Sequence, residues 1–158
     1  MAFPIPPLRT TPELLLRFRF GVFFFTSGAE PNRIDIRFQK VSGLAGSVKL
    51  TPLAEGGQNL YTQQLPNGIE YGRLILERGM VVDSPLNMEF DDALSLYKFA
   101  ASNVMVTLYN ESANPVAAWL FIKAFPAKWS ISNLDATQKT LVLSTLELAY
   151  SRMQILKV

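Results

Sequence analysis

Four carboxylates, Asp83, Glu89, Asp91 and Asp92, fall in one short stretch that holds no Lys or Arg. Two carboxylates across a cleft can divide acid and base work in a hydrolase, and a cluster of them can hold a hard cation. The stretch itself reads as a helix. Ser84 is a suitable N-cap, Pro85 suits the first helical position, and Leu86, Phe90, Ala93, Leu94 and Tyr97 recur at helical spacing. That spacing strings the acids along a surface instead of across a cleft, and in early turns the helix dipole favours them without any catalytic role. They are read as a solvated or subunit-facing helix surface. Trp119, Trp129 and nearby tyrosines offer a second chemistry, a stacking platform, which makes a monomeric ligand- or carbohydrate-binding β-sandwich the competing function.

His and Cys are both absent. Ser/His/Asp and Cys/His nucleophiles, disulfides, and zinc sites built on those ligands are therefore excluded for this chain alone. The expectation is a protein that is no enzyme and carries no metal or cofactor. Fifteen bases against 13 acids leave a net charge of +2, too little for a protein devoted to a phosphate backbone. The first fifty residues hold seven Lys or Arg and three acids, opposite in sign to the acidic stretch at 83–92, a polarity that suits head-to-tail contact between copies.

The elements around these residues are strands. The 116–125 stretch is apolar on both faces, with Trp119 and Phe121 alternating with Leu120 and Ile122, as in a central strand or a subunit interface. After a turn placed at 126–136, the stretch from Leu141 onward puts Leu146, Leu148 and Tyr150 on one face and Thr145, Glu147 and Ser151 on the other. The pair is expected to form an antiparallel core ribbon. The 14–25 stretch alternates before becoming wholly aromatic at Phe23, Phe24 and Phe25, so part of this cluster must meet a second layer or another subunit. It is expected to form a hairpin with 33–41, and strands are also expected at 69–80 and 103–109. Residues 1–13, with Pro4, Pro6, Pro7 and Pro12, form an extended arm, and 47–68 is a long loop whose Leu50, Leu53, Leu60, Tyr61 and Leu65 lack an evident core to join. No charged and apolar leader is read at 1–12, and no apolar run approaches the about 20 residues that span a bilayer. The sum is a single domain, 1–158: a mainly β, antiparallel sandwich or barrel of two packed sheets with one α-helix.

Four fragments then carry a resemblance. They are Phe38-Gln39-Lys40-Val41-Ser42-Gly43-Leu44; Leu65-Pro66-Asn67-Gly68-Ile69-Glu70-Tyr71 running on to Leu74-Ile75-Leu76-Glu77-Arg78-Gly79; Ala124-Phe125-Pro126-Ala127-Lys128-Trp129 followed by Asn133-Leu134-Asp135-Ala136; and Ser144-Thr145-Leu146-Glu147-Leu148-Ala149-Tyr150. In order and spacing they resemble the tail tube proteins of contractile phages and phage-tail-like contractile injection systems. The resemblance implies a haemolysin-coregulated-protein-like fold and a hexameric ring. Rings would stack into a hollow tube inside a sheath, above a baseplate hub or spike, with cargo in the lumen. It implies assembly in the bacterial cytoplasm and a place in a virion tail or released particle. The 47–68 loop becomes an arm to a neighbouring subunit, and Phe23, Phe25, Leu50, Leu53, Leu60, Tyr61 and Leu65 become interface residues. About thirteen residues before Leu14 and a long turn at 26–33 depart from the family pattern and point to a tube-initiating subunit beside the baseplate.

Overall fold

The computed structural model describes residues 19–25, 38–57, 60–80 and 84–157, apart from the side chain of Glu89. The expected arm at 1–13, most of the expected hairpin at 26–37, and Asp83 lie outside these residues. Nine strands and one helix follow in the order β1 (Arg19–Phe25), β2 (Lys40–Ser42), β3 (Gly46–Leu53), β4 (Gln63–Tyr71), β5 (Leu74–Gly79), α1 (Pro85–Leu96), β6 (Ser102–Tyr109), β7 (Pro115–Ile131), β8 (Leu143–Ala149) and β9 (Arg152–Leu156).

Strand β7 is the hinge of the architecture. Its first half pairs β6 on one side and β9 on the other, whereas its second half pairs β8. Two antiparallel layers result, β1-β6-β7-β9 and β7-β8-β5-β2, joined through one continuous 17-residue strand. The change of layer occurs at Lys123, whose φ of 54° lies in the left-handed region and whose N–H donates to Asn103 Oδ1 at 3.2 Å. A register shift in the β6 pairing at this point marks a β-bulge, the usual device for turning a strand around a sandwich corner.

The layers enclose one core. Val22 and Phe24 of β1, Leu74 and Leu76 of β5, Val104 and Val106 of β6, Phe121 of β7, and Leu146 and Leu148 of β8 are buried together. Each such side chain contributes about 1.5–3 kcal/mol on removal from water. Helix α1 closes the core with Leu86, Phe90 and Ala93. Ser84 caps it, accepting from the Asn87 N–H at 3.4 Å, with Pro85 in the first turn. At the other end Tyr97 takes φ 54°, and the Lys98 N–H donates to the Asp92 carbonyl at 3.2 Å.

Several expectations are corrected. Pro126 starts no turn; β7 runs through it, because there β7 is hydrogen-bonded to β8 and a bulge between Pro126 and Lys128 absorbs the missing donor. The turn lies instead at 132–142, and the last strand breaks at Tyr150 and Ser151 so that β9 can return to β7. The stretch 69–80 is two strands, split at Gly72 and Arg73, and the 47–68 loop is mostly the β3–β4 ribbon. Leu94 and Tyr97 are exposed, not core-facing, and the first turn of α1 contains no acid.

Candidate functional site

The acidic stretch makes no catalytic centre in the described residues. Asp91 and Asp92 are exposed on α1, and Asp91 Oδ1 accepts from Ser95 Oγ at 3.1 Å, an ordinary contact one helical turn apart. They border an open depression with Ser84, Asn87 and Met88. Among the described residues no group of three acids stands close enough to hold a metal ion. The stacking platform also dissolves. Trp119 is half-buried against the core beside Val106 and Ile155, whereas Trp129 pairs Leu146 in the second half of β7, roughly 30 Å farther along the strand path. The two indoles do not share a face that one sugar could cover.

What the four quoted fragments build is a sheet. The first supplies β2, the second runs through β4 into β5, the third lies in β7 and the fourth is β8; β2, β5, β8 and β7 are consecutive neighbours. Their polar residues lock these strands together. Glu147 accepts from Arg73 at 3.2 Å and faces Lys128 at 3.5 Å, and Lys40 meets Glu77 at 3.3 Å one strand over. On the core side the Trp129 indole N–H donates to Ser144 Oγ at 2.9 Å. Buried Arg78 donates to Ser84 Oγ at 2.7 Å and to Asn87 Oδ1 at 2.8 Å and lies 5.4 Å over the Phe38 ring, fastening β5 to the start of α1. These are positioning contacts; none presents a reactive group to a substrate.

Two ionisable groups are perturbed, both for structural reasons. The Thr137 hydroxyl and then its N–H hold the Asp135 carboxyl below the usual range in the loop after β7. Burial first, and Tyr71 second, push the Tyr150 phenol above its ordinary value; its ring rests between Phe121 and Tyr71 at 4.8 and 5.6 Å.

The expected interface residues fall in two places. Leu50, Leu53, Leu60, Tyr61 and Leu65 stand exposed on the β3–β4 ribbon and its turn, Leu60 at 92%, and the ribbon pairs only within itself. Phe23 and Phe25 are half-buried in β1, with the Phe23 ring over Gly21, where a Cβ would come within 2.9 Å of it. Two further exposed apolar groups escaped the sequence reading: Tyr97, Phe99 and Phe125, in edge-on ring contact at 5.0 and 5.8 Å, and Met80, Trp129, Leu134 and Leu141. Each is assembled from separate elements, so no local pattern announces it.

A family model described as T4-like virus tail tube protein gp19 matches residues 16–154. A chain from the cryo-EM structure of the anti-feeding prophage (AFP) baseplate, 6-fold symmetrised, is similar over 99% of this chain and 97% of its own, with 34% identity and a TM-score of 0.81. A chain from the PVC sheath-tube complex of an extracellular contractile injection system, in its extended state, shares 20% identity with a TM-score of 0.74, over 96% of this chain and 95% of that one. A crystal structure of Hcp protein shares the fold at 14% identity and a TM-score of 0.55, over 87% and 91% of the two chains. No curated protein sequence matches.

Proposed function

We propose that this chain, which belongs to the family of the T4-like virus tail tube protein gp19, forms hexameric rings in the inner tube of a contractile injection system and supplies the ring that starts the tube at the baseplate. The observation that carries this reading is the 34% identity to a chain of the 6-fold symmetrised AFP baseplate over nearly the whole of both chains, against 20% for the PVC sheath-tube chain. Its neighbours would be tube rings on one side, a baseplate hub or spike on the other, and sheath subunits outside, with cargo in the lumen. Assembly takes place in the bacterial cytoplasm before the particle or virion is released.

In this role 1–158 is one tube domain, and the β3–β4 ribbon is its arm to a neighbouring subunit. The ribbon exposes apolar side chains on a two-stranded hairpin, a surface that water penalises and a second chain would cover. Phe23 and Phe25 add a second contact on β1.

Counting copies tests the reading. Quantitative mass spectrometry of purified particles is expected to find one ring's worth of this chain for many rings of sheath. Equal numbers of this chain and sheath would make it the repeated subunit, and absence from the particle would overturn both roles.

A further inference from the structure

We propose that the tip of the β3–β4 ribbon of one copy seats on the far end of a second copy's sandwich, on an apolar rim made by Met80, Trp129, Leu134 and Leu141. This rests on the stacked-ring reading above and names the surface that the ribbon would meet.

The polarity of the fold carries the argument. In the layer β2-β5-β8-β7, the pairs Leu74↔Leu148 and Phe125↔Ala149 mark one end, and Gly79↔Leu143 and Ile131↔Ser144 mark the other. The ribbon is tied to the first end through Ser42 and Leu74, and its strands pair only each other. The rim is at the second end. There the Met80 N–H donates to the Val142 carbonyl and the Ser132 N–H to the Leu143 carbonyl, both at 2.9 Å or less, and a Cβ on Gly79 would touch Leu141 at 3.6 Å. Met80, Leu134 and Leu141 are exposed, and Trp129, its N–H already held by Ser144, presents a fixed ring that is 39% exposed.

An apolar projection at one end and an apolar rim at the other suit a head-to-tail contact. Such contacts generate open stacks, whereas a two-fold contact would close a dimer and stop. A held aromatic ring ringed by aliphatic groups is the usual anchor of a protein interface. Charge agrees as well. Glu55 beside the ribbon turn and Lys139 in the rim loop are opposite in sign, and neither makes an ion pair among the described residues.

Photo-crosslinking from position 61 decides the matter. With a benzophenone amino acid replacing Tyr61 in assembled particles, peptide mapping is expected to find crosslinks in 129–142 of another copy. Glu55→Lys should reduce their yield severalfold, and adding Lys139→Glu to it should restore them. Crosslinks confined to 97–125, or none in particles that still show tubes, would overturn this contact while leaving the tube reading intact. Failure of any ring or tube to form with unmodified protein would overturn the tube reading itself.

Discussion

The indole N–H of Trp129 reaches the hydroxyl of Ser144 at 2.9 Å across the β7–β8 pair, joining the third and fourth of the fragments that first marked this chain. Ser144 is almost fully buried, so its hydroxyl depends on that donor, whereas Trp129 keeps part of its ring in solvent. Trp129→Ala is therefore expected to cost about 2–3 kcal/mol, below the cost of truncating a fully buried Trp, because part of the loss is cavity and part is the stranded hydroxyl. Ser144→Ala should cost about 1 kcal/mol. Urea denaturation of both single variants and the double variant would show the coupling as non-additivity.

Lys123 turns β7 from one layer to the other in a left-handed backbone that a side chain makes costly. Lys123→Gly is expected to stabilise the fold by about 0.5–1 kcal/mol even though it removes a solvated charge. The check is a rise in the urea midpoint with an unchanged slope; a fall would show that the chain has no strain here to release.

Tyr150 gives a pH dependence. Its raised phenol, caused by burial first and Tyr71 second, means that the folded state resists losing this proton. Below about pH 10 both states keep the proton and the contribution is fully present; above it the unfolded chain ionises first, and stability falls as pH rises through the folded value. Its buried oxygen has no hydrogen-bond partner among the described residues. Tyr150→Phe should thus be neutral or stabilising by up to about 1 kcal/mol at pH 7 and should hold stability better above pH 10. Absorbance titration at the phenolate band should lose its latest step in this variant.

The ribbon separates folding from assembly. Leu53→Ser combined with Tyr61→Ser is expected to change monomer stability by no more than about 0.5 kcal/mol, because both side chains are exposed. The same variant should fail to assemble in sedimentation. A collapsed melting temperature would mean that these side chains serve their own subunit's core, where truncation costs about 2–5 kcal/mol per residue.

The reach of the sequence follows from burial. Strands β5 and β8 were readable because Leu74, Leu76, Leu146 and Leu148 alternate with half-exposed neighbours, and α1 because Ser84, Pro85, Leu86 and Phe90 give it both a start and a face. The ribbon was mistaken for a loop because nothing in its own chain buries either face: Val48, Leu50 and Leu53 are all exposed, a bulge lies between Val48 and Leu50, and only pairing holds the strands. Pro126 was read as a turn because a proline normally ends a central strand, and only the layered pairing of β7 shows that this half of the strand can tolerate one. The interface residues were half legible. Apolar side chains without a core could be named from sequence, while the rim at Met80, Trp129, Leu134 and Leu141 exists only after β5, β7 and the 132–142 loop have come together.

The central claim is that this chain builds a ring. Negative-stain electron microscopy of the purified protein, alone and with its baseplate and sheath partners, measures that directly. Six-fold rings, alone or capping a short tube, are the predicted result; a chain that stays a monomer under both conditions would contradict the account.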